Sequence, residues 1–460
     1  MYKYYNIKYI INNKKKIINK IIIIKGWVKY FRNNFFLEIN DGSTIKNLQI
    51  IIKNKKFIKI KKKISIGIPL KILGKLILQK KTKIIELLPY KIKIYGEIDS
   101  KFINSSILQN KYHSLSKLRE QIYLRFRTNI FNSIIKIRHF LFISIHNYFN
   151  FKNFIYINTP IINKNNAEGA GEIFKITSLN LSNINKLNYK NDLFNCKANL
   201  TVSGQLEVES AMYGLGKVYT FGPVFRADNS NTNKHLSEFW MLEPEIMFYK
   251  LKDIIKLSVN LIKYLIKETL KKCKEELIYI DEYNKKYNNC NNLIYRLKNI
   301  INKKFIKISY NKIIKLLKNI NKNIINWGDD IKSEHEKILF NKIFPYEIPI
   351  IIYNYPKNIK PFYMKLNKNK KTAKSIDILF PYIGEIIGGS ERETSYKKLL
   401  NRIKKLKINI KNILWYINLR KLGNIYHSGF GLGFDRLVQY ITGMNNIRDV
   451  IPYPIYPGHI

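Results

Sequence analysis

Hydrophobic and polar positions change period several times along the chain, and each change predicts a different element. Over residues 1–105 the apolar residues come in short runs, Ile21–Val28, Phe35–Ile39, Leu48–Ile52, Ile68–Leu73 and Ile92–Tyr95. Asn40-Asp41-Gly42, Gly67 and Gly74 punctuate them. Short strands separated by turn residues predict a small β-barrel, the OB-fold being one candidate. Phe35 and Phe36 are adjacent in a strand, so one of them is expected to point inward. Residues 106–128 have no clear period and read as a linker with a short helix. From Ile130 the spacing turns helical, with Ile130, Ile134, Ile137, Leu141 and Ile145 on one face of a helix over 130–149. Pro160 stops the strand Ile155–Thr159 that follows.

The stretch Leu200–Phe248 is low in lysine and rich in distinct polar groups: Arg226, Asp228, His235, Glu238, Glu243 and Glu245 among Phe221, Phe225, Phe239 and Trp240. It predicts a strand ending near Arg226, a polar loop over 227–235 and a second strand from Glu238. Residues 251–322, rich in lysine and isoleucine, read as a helical insertion with runs such as Ile254–Leu270. Asp329–Phe340 predicts a helix with Ser333 as N-cap, and Glu347–Tyr353 a strand. In Ser375–Arg392, Asp377 and Glu385 lie eight residues apart across Pro381 and Gly384 and can sit on adjacent strands. His427–Gly443 reads as a glycine-rich strand, then an apolar helix opened by Asp435-Arg436.

Composition changes this picture little. The chain of 460 residues carries 82 Lys+Arg against 32 Asp+Glu, a formal charge of +50. Such a field favours nucleic acid or anionic membranes. Ile, Lys and Asn codons are built mostly from A and T, however, so an A+T-rich genome produces this charge without a partner to select it. Cys196, Cys273 and Cys290 form no CxxC pair, which disfavours a disulfide framework or structural zinc and fits a reducing compartment. No apolar run approaches a membrane span, and a cytoplasmic protein is the default.

The candidate chemistry is anion binding. An arginine on paired strands can grip a phosphate with two parallel hydrogen bonds, and Arg226 is placed for this, with Arg436 as a second grip. A surface hairpin with incidental charges is the plainer reading of the same stretch. Asp377 and Glu385, converging near Arg226, would make an oxygen-ligand site for Mg²⁺. Gly388-Gly389 lets backbone approach a ligand closely. The spacing in GFGLGF is not that of a dinucleotide fingerprint, and the Ala167–Glu172 turn is not a phosphate loop. In the barrel, Arg32, Phe36 and Gln49 could supply phosphate contact, stacking and base hydrogen bonding.

VYTFGPVFRADNSNTNKHLSEFWMLEPE and GFGLGFDRLVQYITGMNNIRDVIPYP, in this order, resemble the second and third signature motifs of the class II aminoacyl-tRNA synthetases of the aspartate/asparagine/lysine subgroup, most closely its asparagine branch. The helix 130–149 with Ile155–Pro160 is similar to the first motif, and GWVKYFRNNFFLEINDGS to the anticodon-binding barrel. The resemblance covers nearly the whole chain. It implies an α+β protein: an OB-fold barrel over 1–105, a hinge over 106–128, and a catalytic domain over 129–460 whose antiparallel sheet is flanked by helices. It implies a homodimer that binds ATP, Mg²⁺, L-asparagine and tRNA(Asn). The reaction would be formation of asparaginyl-adenylate, then transfer to the 3′ end of the tRNA.

By the same resemblance, Arg226 would bind the α-phosphate and substrate carboxylate, and Phe239 and Arg436 would sandwich adenine. Asp228 and His235 would lie by the nucleotide. Asp377 and Glu385 would hold Mg²⁺. Glu168, Ser203, Gln205 and Glu243 would surround the amino acid, with Arg392 on its side-chain carbonyl. Phe36 would stack on the central anticodon uridine and Gln49 would read it. Aspartate enzymes of this kind carry a lysine where Val208 stands, so its absence disfavours a carboxylate substrate. The family usually has glutamate at Asp228 and Asp435, asparagine at Glu207 and arginine at Ile455. An aspartate-charging or relaxed enzyme, and a tRNA-binding paralogue with an inactive site, are the alternatives.

Overall fold

A computed structural model describes residues 2–79, 83–103, 106–109, 111–164, 172–182, 188–288 and 292–460. The chain divides into two compact units, Met1–Lys136 and Ile137–Ile460.

The first unit is built on a closed barrel of five strands in the order β1-β2-β3-β5-β4. These are β1 (Ile21–Arg32), β2 (Phe36–Asn40), β3 (Leu48–Ile51), β4 (Pro69–Leu78) and β5 (Ile85–Ile94). Short helices α1 (Ile7–Asn12), α2 (Lys14–Ile17), α3 (Ile58–Lys61), α4 (Ser100–Ile103) and α5 (Leu115–Glu120) accompany it. Alternation fills the barrel: Leu70, Ile72 and Leu76 of β4 are fully buried, with lysines between them on the outer face.

Two expectations change here. β4 and β5 run longer than their apolar runs, because Gly74 and Pro89 sit opposite each other at a register shift rather than ending the strands. A bulge is where a sheet tolerates proline and glycine. Phe35 and Phe36 are also both exposed. Asn33 and Asn34 adopt positive φ of 50° and 54°, so Phe35 belongs to the turn and alternation begins with Phe36 out and Leu37 in.

The second unit is built on a sheet of eight strands in the order β12-β13-β14-β15-β16-β11-β10-β6. Its strands are β6 (Ile155–Tyr156), β10 (Lys217–Phe225), β11 (Glu238–Met247), β12 (Ile306–Ser309), β13 (Ile350–Tyr353), β14 (Ser375–Phe380), β15 (Gly384–Glu391) and β16 (His427–Gly433). Only the outermost pairs, β12–β13 and β10–β6, are parallel. A small sheet of β7 (Ile162–Asn163), β8 (Lys175–Ile176) and β9 (Ala198–Leu200) stands apart. The strand expected over Ile155–Thr159 is regular only at its first two residues, although Ile157 N still donates to Tyr219 O at 2.9 Å.

Helix α6 (Asn129–Phe151) carries the boundary between the units and buries the five isoleucine and leucine positions expected of it. After β9 comes α7 (Gln205–Leu215), and after β11 come α8 (Leu251–Lys272), α9 (Lys274–Tyr287) and α10 (Leu293–Asn302). Burial of Ile254, Leu257, Leu261, Leu265 and Thr269 gives α8 one apolar face, which packs on β14, β15 and β16. The segment read as an insertion therefore supplies helices on the sheet and, through β12, an edge strand. Then follow α11 (Tyr310–Ile320), α12 (Ser333–Ile338), α13 (Tyr396–Lys405), α14 (Ile410–Asn418) and α15 (Phe434–Thr442). Lys332, not Ser333, caps α12, and its N–H bonds to His335 Nδ1 at 3.0 Å.

A Cβ at Gly74 would lie 2.4 Å from Leu88 O. Gly74→Ala is expected to destabilise the barrel by about 1–3 kcal/mol, the usual cost of overpacking. The urea midpoint of its unfolding should fall accordingly; an unchanged midpoint would show that the bulge relaxes freely.

Candidate active site

The site lies along one face of β11. Side chains alternate on a strand, so Phe239, Met241, Glu243 and Glu245 project to the same side. β10 pairs with β11 without a break, Val224 opposite Phe239 and Thr220 opposite Glu243. Arg226 continues that register, its N–H bonded to Ser237 O at 2.9 Å. Its guanidinium lies 5.3 Å from the Phe239 ring centroid, within cation–π range.

β16 lies on the other side of β11, with Gly433 opposite Met241 and Gly429 opposite Glu245. Its glycines keep the face clear. A Cβ at Gly431 would come within 2.7 Å of Met241 Cε, and one at Gly429 within 2.2 Å of Glu245 Oε1.

At one end the face opens into a cavity of about 310 Å³ lined by Arg226, Asp228, Lys234, His235, Phe239, Glu385 and Arg436, among others. Arg436, in the first turn of α15, donates to Glu385 O at 2.8 Å. Burial works against its charge and lowers its pKa; Glu385 and Glu336 oppose that, and Arg226 across the cavity adds to it. Two guanidiniums sharing one cavity with an aromatic ring form a receptor for a polyanion carrying a flat base. His235 is likewise pushed toward its neutral form, by burial and then by Arg436, and its Nδ1 lies 2.6 Å from Thr232 Oγ1. Asp228 accepts from Glu172 N at 3.2 Å.

Farther along the face lies a second group. Glu243 accepts from Ser203 Oγ and, at 2.9 Å, from Gly204 N, which tethers the start of α7 to the strand. Gln205 N donates to Ser203 Oγ at 3.1 Å, while Gln205 Nε2 is buried with no hydrogen-bond partner among the described residues. A buried amide donor left in this state marks a place for a ligand atom. Arg392 is almost fully buried. Its Nε contacts both Glu245 oxygens at 3.1 and 3.2 Å, its Nη2 also bonds Glu245, and its Nη1 donates to Ser390 Oγ at 2.6 Å. Burial opposes the Arg392 charge, and the Glu245 carboxylate outweighs it.

Asp377 and Glu385 converge from β14 and β15 across Gly388, where a Cβ would lie 2.7 Å from Glu385 Oε1 and 3.5 Å from Asp377 Oδ1. Lys360 Nζ holds both Asp377 oxygens, at 2.8 and 2.6 Å. Burial pushes the Asp377 carboxyl up to about 7, with Lys360 pulling against it and Glu385 adding to it. Two convergent carboxylates are a donor set that fits Mg²⁺, which keeps waters and takes further oxygens from phosphates.

Of the expected site residues, Arg226, Asp228, His235, Phe239, Glu385 and Arg436 line one cavity. Ser203, Gln205, Glu243 and Arg392 are buried along the same face. Glu168 lies outside the described residues. Arg32, Phe36 and Gln49 belong to the barrel unit. There Phe36 is exposed, Arg32 lies over the Tyr30 ring at 5.2 Å, and Gln49 Nε2 donates to Glu86 Oε1 at 3.1 Å.

Val208 is fully buried in an apolar cluster with Met212 and Val218. A lysine there would meet apolar surroundings. Glu245, paired with Arg392 on the same face, was not among the expected site residues, and its period-two spacing from Phe239 was the available signal. Lys360 and Arg138 had no sequence signal. Arg138, on α6, donates to Asp435 Oδ1, while Asp435 Oδ2 accepts from Trp240 N at 2.8 Å. That carboxylate joins α6, β11 and α15 at one point.

Residues 115–456 match the family described as tRNA synthetases class II (D, K and N), and the chain belongs to this family. Its relatives place it more narrowly, among the asparagine-specific members. It is 46% identical over 452 residues to an asparagine–tRNA ligase of Azobacteroides pseudotrichonymphae, covering 95% of each chain. It is 44% identical over 461 residues to that of Borreliella burgdorferi, covering 97% of this chain and 98% of the relative. Asparaginyl-tRNA synthetase from Pyrococcus horikoshii, complexed with asparaginyl-adenylate, superimposes with a TM-score of 0.84 at 29% identity, covering 97% of each chain. The Entamoeba histolytica enzyme in the same complex gives 0.81 at 25%, covering 97% of this chain and 98% of that one.

Asp435→Asn is expected to cost about 3 kcal/mol, since it leaves the mostly buried Arg138 without its counter-ion. Urea denaturation would measure it, and a loss within experimental error would mean that the clamp is dispensable.

Proposed function

We propose that the protein charges tRNA(Asn) with L-asparagine in two steps. The asparagine carboxylate attacks the α-phosphorus of ATP and expels pyrophosphate, forming asparaginyl-adenylate. A hydroxyl of the terminal adenosine of the tRNA then attacks the activated carbonyl and releases AMP. No protein nucleophile is needed, and catalysis is positioning plus charge stabilisation. Arg226 bridges the substrate carboxylate and the α-phosphate. Phe239 and Arg436 enclose the adenine, and Arg436 with the neutral His235 faces the departing phosphates. Glu243, Ser203 and Gln205 hold the ammonium end of the amino acid. Asp377 and Glu385 would hold Mg²⁺, which when bound neutralises phosphate charge.

The observation that carries asparagine over aspartate is the Arg392–Glu245 pair. A guanidinium has five N–H donors. The bonds to Glu245 and Ser390 leave part of that set for a substrate carbonyl, and Glu245 retains lone pairs for an amide N–H. Donor beside acceptor complements a carboxamide; an aspartate carboxylate would face Glu245 as a like charge.

Exposed Trp27, Phe35 and Phe36 on a basic barrel support anticodon binding there, with Arg32 on phosphate and Gln49 on a base. Exposed Ile143, Phe151, Ile155 and Tyr156, the last two on the edge strand β6, support a homodimer. No helix among the described residues is long and apolar enough to cross a membrane. Cys196 is a free thiol, which supports a cytoplasmic site of action.

ATP–pyrophosphate exchange tests the reading. Exchange is expected with asparagine and not with aspartate, and exchange with neither by folded protein would overturn it. Arg392→Lys, which loses the planar fork, should lower kcat/KM for asparagine by about 100-fold or more. Mn²⁺ serves as a paramagnetic probe of the metal site in ligand-free protein. Because Asp377 must lose its proton to bind a cation, Mn²⁺ affinity should rise with pH through about 7. A pH-independent affinity would place the metal elsewhere.

A further inference from the structure

Behind the Arg392–Glu245 pair lies a buried cluster that the steps above do not use. Glu209, on α7, is fully buried. Its Oε1 accepts from Arg420 Nη2 and lies 2.7 Å from His427 Nε2, and its Oε2 accepts from the Tyr416 hydroxyl at 2.7 Å. Arg420 stacks over the Tyr416 ring, 4.1 Å from its centroid. His427 Nδ1 lies 2.8 Å from Ile425 O. Burial alone would raise the Glu209 carboxyl; Arg420 and His427 outweigh it and hold the group well below the usual carboxylate range.

This cluster adjoins the segment that carries Arg392. Arg392 N donates to His427 O at 3.1 Å, and Arg420 Nε donates to Glu393 O at 3.1 Å. A buried cation, Arg420, therefore lies behind the residue that reads the substrate side chain, in addition to Arg392 itself. Glu245 pairs with Arg392, so the charge of Arg420 falls to Glu209. In a buried site a unit charge acts over several ångströms with little screening. Left uncompensated, it would draw in an aspartate carboxylate.

We infer that Glu209 is a specificity-determining positioning residue: acting through Arg420, its carboxylate cancels positive charge behind the side-chain pocket and keeps aspartate out. The inference rests on the asparagine-activating function proposed above.

The test is asparagine-dependent ATP–pyrophosphate exchange on the full chain with aspartate as competitive inhibitor, read as the ratio of the aspartate inhibition constant to the asparagine KM. Glu209→Gln is expected to lower that ratio by about tenfold or more, through tighter aspartate binding. Arg420→Met, which removes a cation, should raise it. The variant carrying both changes should return to within about twofold of wild type, since separate charge effects of opposite sign offset each other. A purely structural role would lower asparagine activity in every variant and leave the ratio in place, which would overturn the inference. If Glu209→Gln is unfolded by circular dichroism, Arg420→Met and the double variant decide: a ratio that fails to rise in the first overturns it. Absence of asparagine-dependent exchange in wild-type protein would instead refute the proposed function.

Discussion

The alternation of side chains along one strand, β11, is the constraint on which the rest of the site depends. Because period two sends Phe239, Met241, Glu243 and Glu245 to one side, a ligand lying along that face meets an aromatic surface at one end and carboxylates at the other. The neighbouring strands comply with that line. β10 hands Arg226 to the aromatic end through unbroken pairing, and β16 contributes glycines where any side chain would collide. Asp435 then fixes the strand in place by accepting from Trp240 N, with Arg138 as its counter-ion.

Charge along this face is graded. One end concentrates positive charge in Arg226 and Arg436. The other places buried arginines beside carboxylates: Arg392 with Glu245, and Arg420 with Glu209. The first end suits a polyanion that arrives with its own negative charge. The second suits a neutral side chain, since paired charges offer directional hydrogen bonds with little net potential.

Much of this was legible in the sequence, and the misses have physical causes. The barrel strands, the helix 130–149 and the Arg226 hairpin follow from local period and turn residues. β4 and β5 were read short because glycine and proline end most strands, and only the register of the partner shows that here they form a bulge. Phe35 and Phe36 do not alternate in and out because two asparagines at positive φ shift where alternation starts. The burial of Val208 with Met212 and Val218 is a tertiary fact that no local pattern marks. Lys360, Arg138 and Arg420 each meet their carboxylate from a distant part of the chain, and nothing local marks such partners.

The glycines of β16 bear on how this protein can change over generations. A chain so dominated by isoleucine, lysine and asparagine is what steady mutation toward A and T would produce. Glycine codons begin with two G nucleotides, so that pressure converts them to serine, arginine, aspartate, glutamate, valine, cysteine or tryptophan codons, or to a stop. At Gly429 and Gly431 each of those residues inserts atoms where Glu245 and Met241 already stand. These positions are thus mutational dead ends within an otherwise permissive sequence. They bound how far base composition alone can remodel the enzyme before its reaction channel closes.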